Sequence, residues 1–131
     1  MTGLDTNILV RFFLQDDAVK GNLATKVMSS LSVDETGWVG IPVLLDLVWE
    51  MTHNHKMKRV EVFQILDKLL SSREIVVEQS EIVRESLNLY RNTRADFADC
   101  LIAASAKAAG CSRTVTFDRI AARDAGMELI D

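Results

Sequence analysis

The feature that most restricts the fold of this chain is a repeated change of pattern: short apolar runs give way, again and again, to stretches with helical spacing. Met1 to Asp5 precedes an apolar helix from Ile8 to Leu14. Trp38-Val39-Gly40-Ile41 precedes a helix from Val43 to about Thr52, and Pro42 suits its first position, where a missing N–H is no loss. Glu74-Ile75-Val76-Val77-Glu78, a β-branched run with a charge at each end, precedes a helix carried by Val83, Leu87 and Tyr90 and capped by Ser80. Thr114 to Phe117 precedes a short helix to Ala125, stopped at Gly126 and followed by a last small strand from Met127 to Ile130. Such alternation implies an α/β fold with a mostly parallel sheet and right-handed crossovers. The first strand, with almost no overhang before it, is expected to be buried within that sheet.

The stretches between these units fill in the helical layers. Asp16-Asp17 offers capping oxygens to an amphipathic helix that runs to about Ser32, with Leu23, Val27, Leu31, Ala24 and Met28 on its repeat and Gly21 weakening its continuity. Val62, Ile65, Leu66 and Leu69 define a further helix. Ala95 to Ala104 begins another, rich in Ala and closed by Gly110 as a left-handed cap. His53 to Arg59 is the most basic stretch and reads as an exposed loop with surface histidines. Trp38 and Trp49 lie in apolar runs and read as core or interface anchors. With 131 residues the chain reads as one domain, residues 1–131, large enough to form its core without disulfides. Cys100 and Cys111 have no metal-ligand spacing and read as small core residues. A net charge of -4 excludes a protein that grips nucleic acid mainly through a basic surface. No apolar run approaches the roughly 18 residues of a membrane span, and the amino terminus lacks a leader pattern, so a cytoplasmic protein is expected.

The chemistry lies in the placement of carboxylates. Asp5 and Asp118 each follow a strand and open a helix, and in parallel sheets chemistry gathers beyond the carboxyl ends of the strands. Asp96 and Asp99 are three apart, so on a helix they share a face and repel. Asp46 lies on a helix face away from its apolar residues, with Glu50 one turn along. Acids brought together without a cation raise one another's pKa and destabilise the fold, so the set predicts a bound hard cation. Oxygen-only ligands select Mg²⁺ or Mn²⁺ over zinc, and such ions activate water for phosphodiester hydrolysis.

Four signatures then carry a resemblance: Leu4-Asp5-Thr6-Asn7-Ile8-Leu9; the Asp46 helix entered through Ile41-Pro42-Val43; Ala95-Asp96-Phe97-Ala98-Asp99 running into Leu101-Ile102-Ala103; and Thr116-Phe117-Asp118-Arg119. In order and interval they resemble the acidic signatures of the PIN domain family, and within it the VapC-type toxins of toxin-antitoxin pairs. The resemblance implies a three-layer fold with a short central sheet flanked by helices, and an Mg²⁺-dependent ribonuclease held inactive by a cognate antitoxin. It implies Asp5, Asp46, Asp99 and Asp118 as catalytic acids, with Asp5, Asp96, Asp99 and Asp118 as metal-site residues. Thr6, Asn7, Thr116 and Arg119 would position substrate or water, and the chain would form a homodimer. One departure is Asp46, which stands where the family usually carries Glu. Two rivals remain: a haloacid-dehalogenase-like phosphatase, which wants a second Asp where Asn7 stands, and a catalytically weakened PIN module acting through protein binding.

Overall fold

Three of the seven helices begin at an aspartate whose carboxylate accepts a backbone N–H, and two of these, Asp5 and Asp118, are candidate site acids. The computed structural model describes all residues from Met1 to Asp131 and contains seven α-helices and five short strands, in two units, Met1–Glu78 and Gln79–Asp131. In the first unit, β1 (Thr2–Gly3), β2 (Gly37–Val39) and β3 (Ile75–Val77) form a parallel sheet with β2 in the middle, registered Gly3↔Trp38 and Trp38↔Val76. α1 (Thr6–Leu14) and α2 (Ala18–Ser29) connect β1 to β2; α3 (Ile41–Trp49), a π-helical segment (Glu50–Asn54) and α4 (Arg59–Ser71) connect β2 to β3. Leu9, Val39, Leu44, Leu47, Met51, Val62, Leu66 and Leu69 are fully or almost fully buried. At about 1.5–3 kcal/mol per large side chain, this cluster supplies much of the unit's stability.

In the second unit α5 (Ser80–Asn92) packs on α6 (Phe97–Ala108), with the rings of Tyr90 and Phe97 edge to face at 5.9 Å. β4 (Val115–Thr116) and β5 (Glu128–Leu129) pair in parallel across α7 (Arg119–Ala125), which packs on α6. Gly126 ends α7 at φ 73°, a left-handed position that glycine accepts without strain, and its N–H reaches Ala121 O.

The structure corrects several expectations drawn from pattern alone. Thr2 and Gly3 are exposed, so burial of the first strand begins only at Leu4. α2 stops at Ser29 and turns Gly21 and Ala24 inward while Leu23 is exposed. Gly21 does not interrupt that helix; the Gln15 side chain lies where its Cβ would be, so the missing side chain permits close packing. Gln79, in a left-handed conformation, is the N-cap of α5, and Ser80 is already inside the helix. Cys111, Trp38 and Trp49 are exposed, and Trp49 stacks on His53 with ring centroids 4.8 Å apart. The basic stretch is not one loop: His53 and Asn54 belong to the π segment, and Arg59 starts α4.

α3 has Gly40 at its N-cap and so no side chain there to cap it. The partner comes from the end of β3: Glu78 Oε1 accepts the Ile41 N–H at 2.8 Å. Glu78→Ala leaves that donor without its charged acceptor, and chemical denaturation is expected to show a loss of about 1–2 kcal/mol.

Candidate functional site

In the first unit the Leu4 N–H donates to Trp38 O at 2.9 Å, extending the β1–β2 pairing by one residue up to Asp5. Asp5 is the N-cap of α1, with Oδ1 accepting the Thr6 N–H at 2.7 Å. It is exposed, as is Asn7, whereas Thr6 is buried. Asp5, Thr6, Asn7 and Asp46 line one polar cavity of about 390 Å³, together with Glu50, Arg11, Asp16 and His55. Asp46 reaches it because the buried Leu44, Leu47 and Met51 occupy the opposite aspect of the helical turn. Glu50, one turn on, is held by Asn54 Nδ2 at 2.9 Å.

Arg11, Asp16 and His55 were not expected in the site: Asp16 was expected, with Asp17, to cap the second helix, and Asp17 alone is its N-cap. Arg11 Nη1 bonds Asp16 Oδ1 at 3.0 Å, and His55 Nε2 stands 4.0 Å from Asp16 Oδ2. No spacing rule could have joined position 55 to positions 11 and 16. The π segment does so, its wider turn closing with the His55 N–H on Glu50 O at 3.2 Å. His55, expected on the surface, thus lines the cavity that holds two of the acids.

The second unit brings Asp96, Asp99 and Asp118 within electrostatic reach of one another. Asp118 is the N-cap of α7, and its Oδ1 accepts the N–H groups of Ile120 and Ala121 at 2.8 and 2.9 Å. Its own N–H donates to Thr116 Oγ1 at 3.0 Å. Thr116, expected to position ligand or water, therefore orients the acid, and keeps its own hydroxyl proton for a further bond. Asp96 is the N-cap of α6, outside the helix, and makes no capping bond with its side chain. Aspartate at that position ordinarily gains about 1 kcal/mol by capping, so its carboxylate stands idle at a cost to the helix. Asp99, in the first turn, has its pKa raised first by burial, then by the charge of Asp96, then by that of Asp118. Arg119 opens α7 and is exposed. Asp124, by contrast, is held below the usual carboxylate range by Arg123, which grips it at 2.9 and 3.1 Å, and it also accepts the Arg94 N–H.

The donors are all carboxylate oxygens, hard ligands suited to Mg²⁺ or Mn²⁺, and the charge on Asp99's neighbours is of the sign that a cation would relieve. No three His, Cys, Asp or Glu side chains converge closely enough to form a complete cage by themselves. Mg²⁺ does not need one, since it keeps several of its waters and takes one or two carboxylates directly.

A family model of the PIN domain matches residues 4–126. A VapC ribonuclease from Aquifex aeolicus (strain VF5) is 29% identical over 117 residues, covering 88% of this chain and 86% of that protein. No helix is long and apolar enough to cross a membrane.

Because Asp99's pKa is raised on folding, the folded state binds more protons than the unfolded chain above the ordinary value of 3.8, and stability falls as pH rises through that window. Asp99→Asn should therefore raise the melting temperature of the metal-free protein at pH 7. The gain should shrink as the pH is lowered and vanish well below 3.8, where Asp99 is protonated in both states. Thermal melts across pH check this.

Proposed function

Since this chain belongs to the PIN domain family, we propose that it is a metal-dependent endoribonuclease, the toxin of a VapBC-type toxin-antitoxin pair, acting in the cytoplasm. The PIN match over residues 4–126 carries this reading, and the acids of the second unit fit it: Asp99, whose pKa is raised first by burial and then by the charges of Asp96 and Asp118, lies near an aspartate that leaves its helix uncapped, and a cation would relieve the charge there. Similarity to a VapC ribonuclease over most of both chains supports the substrate class. The PIN match runs through both units, and we read residues 1–131 as one functional domain.

A bound Mg²⁺ or Mn²⁺ would activate water and neutralise charge on the phosphodiester. Asp96, Asp99 and Asp118 would hold it, one or two of them directly and the rest through its waters; Asp118 Oδ1 is engaged by the α7 backbone, which leaves its Oδ2 over. Asp5 likewise keeps Oδ2 for the reaction while Oδ1 caps α1, and with Asp46 takes the role of the family's first two acids. Thr6 and Asn7 position ligands beside Asp5, and Thr116 holds Asp118 in place. Arg119, a planar donor with no acid to satisfy, steadies a phosphate oxygen of the RNA. The remaining partners are a cognate antitoxin and a second copy of the chain in a homodimer.

Incubation with single-stranded and structured RNAs, with and without chelator, tests the reading. Cleavage should require Mg²⁺ or Mn²⁺, and Asp5→Asn and Asp99→Asn should each lower kcat at least about 10²-fold, the loss that even supporting residues of metal sites can produce. Release of phosphate from a monoester without RNA cleavage would refute it in favour of a phosphatase.

Asp46 supports a narrower point. Its carboxylate is one methylene closer to the backbone than the glutamate usual in the family, and it is exposed at the cavity rather than held by a partner. Asp46→Glu is expected to raise kcat severalfold with little change in melting temperature; unchanged kcat would mean that the shorter acid already suffices.

A further inference from the structure

The most exposed large apolar side chain in the molecule is Phe117, at 83%. It lies between Thr116, the last residue of β4, and Asp118, the N-cap of α7. The Asp118 N–H donates to the Thr116 hydroxyl at 3.0 Å, a side-chain-closed turn that leaves Phe117 at its apex. A ring in water there adds nothing to the core, and no neighbouring ring stacks on it. Asp118, an acid of the candidate site, follows it directly and the exposed Arg119 comes next, so the ring is close to the groups expected to meet a phosphodiester. The sequence places Phe117 beside Asp118; its exposure is supplied by the fold.

We propose that Phe117 is a stacking platform for an unpaired nucleobase beside the bond that is cut, an inference that rests on the ribonuclease reading above. A phenyl face accepts any base, and stacking of this kind is worth about tenfold or more in affinity for each base held. It gives a protein of net charge -4 a way to hold RNA without a basic surface. Adjacent residues are about 3.8 Å apart at Cα, so a base on Phe117 would keep its sugar-phosphate within reach of Asp118 and Arg119. Such a platform selects single-stranded or looped RNA, because a paired base keeps its faces within the helix. Val115 and Ile120 are about half exposed nearby, which makes a second protein chain the competing occupant.

The test is steady-state cleavage of a single-stranded oligoribonucleotide of mixed sequence by the full chain and its Phe117→Ala, Phe117→Leu and Phe117→Trp variants. Ala and Leu should raise KM about tenfold with kcat within about twofold, and Trp should keep or lower KM. Abasic nucleotides placed singly around the mapped cut should, at one position, raise the wild-type KM to that of Phe117→Ala and leave the variant unaffected. Melting temperatures should be the same for all four proteins, because the ring is outside the core. A wild-type KM for Phe117→Ala, or Leu serving as well as Phe, would overturn the stacking role while leaving the ribonuclease reading intact. A variant that changes the oligomeric state in sedimentation instead would assign the ring to a protein contact and equally overturn it. A wild-type protein that cuts no RNA with either metal would overturn both.

Discussion

A single carboxylate arrangement, an aspartate that ends a strand and caps the next helix, sets the geometry on which the candidate chemistry depends. Asp5 after β1 and Asp118 after β4 each direct Oδ1 to backbone N–H groups at a helix start, at 2.7 to 2.9 Å. The helix dipole tolerates that negative charge, and the bonds satisfy donors that would otherwise have no partner in the helix. Each carboxylate is thereby locked in orientation with its second oxygen left over. An acid held this way needs no separate scaffold, since the bond that starts the helix also aims the ligand. Its exposure follows from its place at the end of the strand, where the pleated backbone leaves the sheet.

Asp96 shows the opposite choice. It occupies an N-cap but forgoes the capping bond, so α6 starts without that support and a charge is left near Asp99 and Asp118. Stability is spent there. The rest of the second unit offsets it with ordinary packing: Val83, Leu87 and Phe97 are almost wholly buried, and Tyr90 meets Phe97 edge to face. The acids in the first unit are handled differently. Asp5 and Asp46 share their cavity with His55 and with Arg11, whose charge moderates the local field, although Asp16 already claims Arg11.

Much was legible in the sequence because periodicity reports burial directly. Val62, Ile65, Leu66 and Leu69 were identified as the inner face of α4, and all four are buried. The same holds for Val83, Leu87 and Tyr90 on α5. Where the pattern misled, a specific contact overrode it. Leu23 looked like core, yet the α1–α2 packing selected Gly21 and Ala24, because small residues let the two helices approach more closely. Trp49 read as a core or interface anchor, and the turn of the helix removes the core alternative by leaving it exposed and stacked on His53.

The order of strands and helices, the inner faces of α4 and α5, and the acids at strand ends were determined by the sequence, since each rests on local spacing and on the intrinsic preference of aspartate for helix starts. The capping of α3 by Glu78, the return of His55 to the cavity of Asp5 and Asp46, and the display of Phe117 at the tip of its turn were decided only by tertiary structure. The physical reason is separation along the chain. Glu78 is 37 residues from the N–H that it caps, and His55 reaches Asp16 only through a π-helical turn. Local preference encodes neither, because such bonds exist only after distant segments have packed.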